Sequence, residues 1–290
     1  MTASGPGPAA GPDAAPSCAR HPDRPTNLAC TRCGRPACPD CLRPAPVGAH
    51  CVDCVAEAAR TTRTARTVGG APARATTATP VVTITLIAVN VAVFVLTALS
   101  AGSAWNNVAS PWVRATWLVP ADVAAGEWYR LVTAGFLHAG PLHIAFNMIA
   151  LWVLGRDLEL VLGRLRYGLL YGVSLLGAST AVVLLGAPDR PVLGASGAVF
   201  GLMGGLVIVL RRLRMSPGPA LATIAINVVL TFTIPGLSVL GHLGGLVTGL
   251  AVAAALVHGP GRSRPATGLL AVGGIAVVLV VLVALRSLTL

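Results

Sequence analysis

Long apolar segments follow one another along the chain from Pro80 onward. A helix needs about 20 mostly apolar residues to cross a bilayer. Seven segments reach or approach that length, and a long polar and aromatic connection over 101–141 separates the first two. The segments are 80–100, 142–161, 167–186, 194–210, 219–235, 237–258 and 267–286. This pattern predicts an all-α polytopic membrane protein.

The composition supports a membrane location. Hydrophobic residues make up 54% of the chain and charged residues only 11%, whereas soluble domains carry about 25% charged residues. The net charge of +11 comes from arginine alone, since the chain contains no lysine. These arginines lie mostly between apolar segments and form no stripe interleaved with aromatic residues. The charge therefore indicates membrane topology, and no nucleic-acid partner is expected.

The arginines also predict the orientation of the chain in a cell membrane. They cluster before the first segment and after the second, fourth and sixth, and all these positions fall on one side of the bilayer. The members are Arg60, Arg63, Arg66, Arg74, Arg164, Arg166, Arg211, Arg212, Arg214, Arg262 and Arg264. The positive-inside rule then places the N-terminus in the cytoplasm and the Trp-rich connection over 101–141 outside.

Composition changes divide the chain into five parts. We expect a disordered tail over 1–17, a cysteine-rich domain over 18–54, a flexible linker over 55–79, a six-helix core over 80–258, and a loop with an additional transmembrane helix over 259–290. The tail is rich in Gly, Pro and Ala and lacks the apolar segment of a signal peptide.

The cysteine-rich domain holds all seven cysteines of the chain in four evenly spread knuckles. The knuckles are Cys18-x2-His21, Cys30-x2-Cys33, Cys38-x2-Cys41 and Cys51-x2-Cys54. Eight ligands of this kind suit two tetrahedral zinc ions. The short second-to-third gap favours an interleaved pairing, knuckles one and three on one ion and two and four on the other. This arrangement resembles B-box or RING-like fingers, and His50 is a possible substitute ligand.

We interpret both zinc ions as structural, because all four positions of each site are filled. A segment of this length with few aliphatic residues would hardly fold without metal. The role of the domain stays open between binding a cytosolic protein and gating the membrane part.

Four polar residues within the apolar segments fall on the same predicted side of the bilayer, the outer one. They are His143, Asn147, Ser196 and His242. Polar groups within spans are costly and often functional. Glycines repeat every fourth residue on the two segments that carry Ser196 and His242, and small residues at that spacing let two helices approach closely. We therefore expect Ser196 and His242 to meet.

A serine next to a neutral histidine is a plausible nucleophile, because the imidazole can take its proton near pH 7. The Asn147 amide, the His143 ring and the Ser196 N–H are candidate donors to an oxyanion. Each feature alone also has a structural interpretation. A serine in a span can bond to a carbonyl of its own helix, a histidine can pair with a neighbouring helix, and a glycine repeat can serve helix packing alone. Their combination on one side of the membrane favours catalysis.

These motifs resemble the rhomboid family of intramembrane serine proteases. The resemblance covers about residues 80–258. It rests on Glu127-Trp128-Tyr129-Arg130, His138-x4-His143-x3-Asn147, Gly155-x3-Glu159-x3-Gly163, Gly194-Ala195-Ser196-Gly197 and Gly241-His242-x2-Gly245. One departure is Tyr129, which separates Trp128 from Arg130 where the family usually has them adjacent, so the role of Trp128 is open. The segment 267–286 is an addition after the six-helix core.

The resemblance implies a Ser–His dyad of Ser196 and His242 that needs no cofactor and no carboxylate. By resemblance, His143, Asn147 and the Ser196 amide hold the oxyanion, and Phe200 packs against the catalytic imidazole. Arg130 and Gly194 support the site, and His138 has a structural hydrogen-bonding role. The substrates would be single-span membrane proteins, unwound and cut near the outer membrane face.

Two other functions compete with a protease. A rhomboid-like pseudoprotease would bind transmembrane segments without cleavage, but its usual mark is loss of the serine or the histidine, and both are present. A transporter would need ionisable residues through the midplane of the spans. The only acidic residues within the predicted spans are Asp157 and Glu159, which lie near one end of the second.

Overall fold

A computed structural model describes residues 15–61, 79–258 and 265–290. The chain divides into two compact units, Met1–Thr64 and Ala65–Leu290. The tail and linker predicted over 1–17 and 55–79 lie largely outside the described residues.

The N-terminal unit is built from two small hairpins and one helix. Strand β1 (Ser17–Cys18) pairs antiparallel with β2 (His21–Pro25), and β3 (Leu42–Pro44) with β4 (Ala49–Cys51). Its buried centre consists of six cysteines and Ala37 rather than aliphatic side chains. Helix α1 (Val52–Thr61) continues past the expected domain end at residue 54. Residues 55–61, expected in the linker, are therefore helical, in agreement with the helix-forming Ala, Glu and Arg residues there.

The regular secondary structure of the second unit, in its described part, is helical apart from one isolated bridge between Leu118 and Val192. Its helices are α2 (Val81–Ala101), α3 (Pro111–Thr116), α4 (Pro120–Ala124), α5 (Arg130–Thr133), α6 (Pro141–Leu162), α7 (Arg164–Leu185), α8 (Ser196–Arg212), α9 (Gly218–Thr233), α10 (Val239–His258) and α11 (Pro265–Ser287). The seven long ones coincide with the seven predicted apolar segments. The predicted all-α fold class is confirmed.

Not every long helix meets a strict criterion for a membrane span. Within the described residues, four are long and apolar enough: α2, α7, α10 and α11. A fifth span is obtained if Arg130–Phe136 and Pro141–Leu162, which meet at 96°, are taken together. Helices α8 and α9 have 17 and 16 residues, fewer than the roughly 20 that cross a bilayer. The chain is thus a multi-pass membrane protein with two shorter helices in its bundle.

A buried carboxylate joins the start of α2 to the end of α6. Glu159 is only 4% exposed, and its oxygens accept the Val82 N–H at 3.0 Å and the Thr83 N–H at 2.9 Å. The Thr83 hydroxyl donates to the same carboxylate at 2.9 Å. These first-turn amides have no acceptor within their own helix, so Glu159 caps α2 from another helix.

Helices α8 and α10 approach each other at glycines. A methyl group at Gly245 would lie 1.9 Å from the Gly197 carbonyl oxygen, and one at Gly249 would lie 2.1 Å from the Gly201 carbonyl oxygen. Any side chain at these two positions would meet backbone atoms that cannot rotate away. The predicted close approach of the two glycine-bearing helices is present, and it places Ser196 beside His242.

We expect Gly249→Ala to destabilise the bundle and lower activity. Inserting atoms into a packed interior costs about 1–3 kcal/mol, and here the obstacle is backbone, so the upper end applies. Gly172→Ala on α7 is the matched control, because a methyl group there meets nothing within 4 Å. Denaturant titration in detergent micelles should show a lower unfolding midpoint for Gly249→Ala only. Equal midpoints for the two variants would show that α8 and α10 can separate at little cost.

Candidate active site

Ser196 and His242 form a hydrogen-bonded pair between α8 and α10. The His242 Nε2 atom lies 2.8 Å from the Ser196 Oγ atom, although the two residues are separated by 46 positions in sequence. Ser196 is the first residue of α8, so its backbone N–H lacks an intrahelical acceptor and is free to donate to a ligand. His242 is 4% exposed, and a base held this close can take the serine proton.

Phe200 and Thr231 contact the same imidazole. The Phe200 ring stacks on His242 with ring centroids 4.3 Å apart and planes inclined by 12°. Thr231, on α9, places its hydroxyl 2.7 Å from His242 Nδ1. Phe200 is predicted from the sequence as a neighbour of the imidazole, whereas Thr231 is not. A threonine in a span usually bonds only to its own helix, so nothing in its sequence context signalled this contact.

The His143 ring faces the residues that precede Ser196. The Ala139 N–H donates to His143 Nδ1 at 3.2 Å, so a neutral ring carries its proton on Nε2. A methyl group at Gly194 would lie 2.9 Å from that Nε2 and 3.6 Å from Ser196 Oγ. Gly194 also has φ of +127°, which disfavours other residues. Gly194 therefore leaves open a space bordered by a ring N–H donor and the serine oxygen.

Asn147 lies on the same helix as His143 and is 6% exposed. Its side-chain amide donates to the His143 carbonyl at 2.9 Å. No hydrogen bond joins Asn147 to Ser196 among the described residues. The amide nitrogen has a second hydrogen that remains available to a ligand.

His138 is 1% exposed and packs edge-on against His143, with ring centroids 5.1 Å apart. Within the described residues its ring nitrogens make no hydrogen bond of good geometry. Its carbonyl oxygen instead accepts from the Asn107 amide at 2.6 Å. The expected ring hydrogen bond is therefore not seen, and the histidine contributes through ring packing and its backbone.

Arg130 holds together the segment between α2 and α6. Its guanidinium is 7% exposed and donates to the Arg114 carbonyl at 3.1 Å and the Trp117 carbonyl at 2.8 Å. It also pairs with Asp122 at 3.2 Å and with Glu127 at 2.5 Å. Trp128, whose role the sequence left open, packs against a neighbouring apolar cluster.

Acid should loosen this segment. Hydrogen bonds from Tyr129 and Arg130 lower the pKa of Glu127 below its usual value of 4.5. A lowered folded-state pKa gives stability that is complete above the unfolded value and is lost as pH falls through the folded one. We expect protease sensitivity within 101–140 to rise below about pH 4, and less steeply in Glu127→Gln. Identical acid profiles for wild type and variant would contradict this role of Glu127.

The N-terminal unit holds two groups of four candidate metal ligands. One consists of Cys18, His21, Cys38 and Cys41, the other of Cys30, Cys33, Cys51 and Cys54, and within each group the donor atoms lie within 4.8 Å of one another. Each group takes its ligands from alternate knuckles, which is the interleaved arrangement expected from the sequence. His50 belongs to neither group in the described residues and lies in β4 opposite Arg43.

The thiols within one group differ in acidity. Backbone hydrogen bonds from Cys38 and Arg20 lower the pKa of Cys18 to about 6. Burial and the neighbouring Cys38 thiol raise the pKa of Cys41 to about 11. A cation between such donors favours the thiolate form of all of them. The donor set therefore suits a metal ion that prefers sulfur and imidazole ligands.

The helical bundle and the partly buried pair of Ser196 and His242 define a multi-pass membrane protein with a hydrolase-like site. Residues 125–259 match the model of the Rhomboid domain. The chain thus contains a rhomboid domain, and this domain carries Ser196, His242, His143 and Asn147.

Several curated proteins are similar to this part of the chain. The Rhomboid protease GluP of Bacillus subtilis (strain 168) is 37% identical over 139 residues, 46% of this chain and 27% of that protein. Rhomboid-type serine protease 2 of Emericella nidulans is 32% identical over 157 residues, 50% and 30% of the two chains. RHOMBOID-like protein 5 of Arabidopsis thaliana is 36% identical over 134 residues, 44% and 43% of the two chains. The chain thus spans less than half the length of each of these relatives.

Proposed function

We propose that this protein is an intramembrane serine endopeptidase with Ser196 as nucleophile and His242 as general base. The observation that carries the proposal is the 2.8 Å contact between His242 Nε2 and Ser196 Oγ at the N-terminus of α8. The similarity to relatives named as rhomboid proteases supports the same reaction.

The geometry suits a two-step hydrolysis. Ser196 Oγ attacks the carbonyl carbon of the scissile peptide as its proton moves to His242 Nε2. The tetrahedral intermediate collapses when the imidazolium returns that proton to the leaving amine, which departs and leaves an acyl-serine. A water molecule then attacks the ester carbon as its proton moves to His242. The second intermediate collapses when the imidazolium returns that proton to Ser196 Oγ, which releases the carboxyl product and restores the starting dyad.

The oxyanion of each intermediate would lie in the space beside Gly194. The first-turn N–H of Ser196, the Nε2–H of His143 and the free amide hydrogen of Asn147 are the donors we assign to it. Donors fixed before the reaction stabilise the developing charge without a cost of reorganisation. A side chain at Gly194 would enter this space, which explains why a glycine precedes the serine by two positions.

The substrates we propose are single-span membrane proteins. A peptide bond inside a helix is shielded by its own hydrogen bonds, so residues that weaken the helix near the scissile bond should favour cleavage. The arginine distribution supports a cytoplasmic N-terminus and a cut near the outer face of the cell membrane.

We further propose zinc as the metal of both sites in the N-terminal unit, in a structural role. Zinc lies about 2.3 Å from each thiolate, so two tetrahedral sulfur ligands are about 3.8 Å apart. Cys33 Sγ and Cys51 Sγ are 3.8 Å apart, and His21 Nδ1 is 3.4 Å from the sulfurs of Cys38 and Cys41. A cytosolic protein is the partner we propose for this unit.

The test is cleavage of a model single-span substrate by the purified protein in liposomes. We expect wild type to cut helix-weakened substrates at one position near one membrane face, identified by mass spectrometry of both fragments, and Ser196→Ala to leave them intact. Binding of these substrates without cleavage, together with no fluorophosphonate labelling of Ser196, would overturn the protease and favour a pseudoprotease that captures transmembrane segments.

A further inference from the structure

Helix α9 contributes one buried residue to the described structure, and that residue is Thr231. Its neighbours present large apolar side chains outward, with Phe232 65% exposed and Ile226 60% exposed. Thr231 itself is 4% exposed and has its hydroxyl 2.7 Å from His242 Nδ1. The buried residue of α9 therefore makes a polar contact with His242, the histidine that is paired with Ser196.

The contacts of this hydroxyl determine which nitrogen of His242 carries the proton. Thr231 Oγ1 also lies 2.8 Å from the Asn227 carbonyl oxygen, which can only accept a hydrogen bond. The hydroxyl has a single proton, and donating it to Asn227 leaves its lone pairs for His242. Both short contacts are hydrogen bonds only if His242 Nδ1 carries a hydrogen and donates it to Thr231.

The resulting tautomer is the one that a general base requires. With the proton on Nδ1, the unprotonated Nε2 lies 2.8 Å from Ser196 Oγ and can accept its proton. The opposite tautomer would present an N–H to the serine oxygen and could not act as base. In serine hydrolases with a triad, a carboxylate fixes this choice. No carboxylate contacts His242 among the described residues.

We propose that Thr231 is a positioning residue that orients His242 and fixes its Nδ1–H tautomer. This inference rests on the proposed function, in which His242 is the base. When His242 takes the proton of Ser196, its Nδ1–H becomes a charged donor, and the bond to Thr231 strengthens. The Asn227 carbonyl accepts the Thr231 hydroxyl hydrogen and so orients the Thr231 lone pairs toward His242. The Thr231 hydroxyl and the Asn227 carbonyl thereby do what the carboxylate does in a catalytic triad.

The same helix supplies matched controls. Thr223 and Thr233 are exposed, and each donates its hydroxyl to the carbonyl four residues earlier, Thr223 to Pro219 at 3.0 Å and Thr233 to Val229 at 3.1 Å. Thr231 makes the equivalent bond to Asn227. Thr233→Val and Thr223→Val therefore remove a hydroxyl and a helix hydrogen bond from α9 without touching His242.

The experiment compares Thr231→Val, Thr231→Ser, Thr233→Val and Thr223→Val in liposomes. Cleavage gives kcat and KM, and the rate of fluorophosphonate labelling reports the nucleophilicity of Ser196 without a peptide substrate. We expect Thr231→Val to lower kcat and the labelling rate by about 10²-fold, the low end of general-base catalysis, with little change in KM. Thr231→Ser should restore most of both rates, and the two controls should match wild type.

The contrary outcomes are distinct. Wild-type kcat and labelling in Thr231→Val, while Ser196→Ala is inactive, would overturn the inference and leave the dyad in place. Equal losses in Thr233→Val would show that α9 needs its hydroxyls for packing only and would also overturn it. Cleavage that survives Ser196→Ala would instead overturn the proposed function.

A spectroscopic measurement decides the question even if Thr231→Val does not fold. The ¹⁵N chemical shifts of His242 in the resting wild-type protein distinguish the two tautomers, with the signal assigned by its absence in His242→Ala. We expect a protonated Nδ1 and an unprotonated Nε2. A resting enzyme with the proton on Nε2 would contradict the role of Thr231.

Discussion

Ser196→Ala and His242→Ala are each expected to lower the cleavage rate by about 10⁴- to 10⁶-fold. Without the hydroxyl no acyl-enzyme forms, and without the imidazole the serine hydroxyl loses the base that accepts its proton across the hydrogen bond. Because the two side chains act as one unit across their 2.8 Å contact, the double variant should be no slower than either single one. Initial rates on a helix-weakened substrate in liposomes measure all three.

Controls from the same elements separate chemistry from folding. His258→Ala changes the other histidine of α10, at its exposed end, and Ser216→Ala changes an exposed serine in the turn before α9. Both should retain wild-type rates and unfolding midpoints. Additive losses in the Ser196 and His242 variants would mean that the two residues act independently, which the geometry of the dyad does not allow.

The sequence predicted the long helices well because each carries its own signal. An apolar segment of sufficient length forms a helix in a bilayer regardless of its neighbours, since every backbone group must be satisfied within the segment. Ser196 and His242 were also predictable as a pair, because the glycine repeats on α8 and α10 indicate where two backbones approach. The alternate grouping of the metal ligands followed from the short gap between Cys33 and Cys38.

Contacts between helices could not be predicted where the sequence has no repeat, such as the glycine repeats of α8 and α10, to mark them. Thr231 and His242 are only 11 residues apart, but the turn between α9 and α10 decides whether they face each other. Glu159 was noted as part of a motif, yet its role as a cap of α2 depends on where α2 begins relative to α6. The short helices within 101–141 were not predicted either, because their arrangement depends on the bonds of Arg130 to backbone carbonyls 16 and 13 positions earlier in the chain.

Removal of metal is expected to unfold the N-terminal unit completely. Its buried centre consists of cysteines, so little apolar area stabilises it, whereas structural zinc contributes about 10–16 kcal/mol of apparent binding free energy. All seven cysteines of the chain belong to this unit, so a thiol reagent reports on it alone in the full-length protein. We expect slow modification with metal bound, fast modification of all seven after chelation, and two zinc ions released per chain.

The interleaved ligand groups make a sharper prediction for single variants. Cys38 lies between the ligands of the other group, Cys30 and Cys33 on one side and Cys51 and Cys54 on the other. If Cys38→Ser loses the ion of its own group, the segment between Cys33 and Cys51 is no longer held in place. Because this segment connects the ligands of the other group, we expect the variant to lose both ions. His50→Ala, a change in the same unit outside both groups, should keep both. If Cys38→Ser retained one tightly bound ion and its protected thiols, the two sites would fold independently, and the cross-braced unit inferred from the ligand grouping would be wrong.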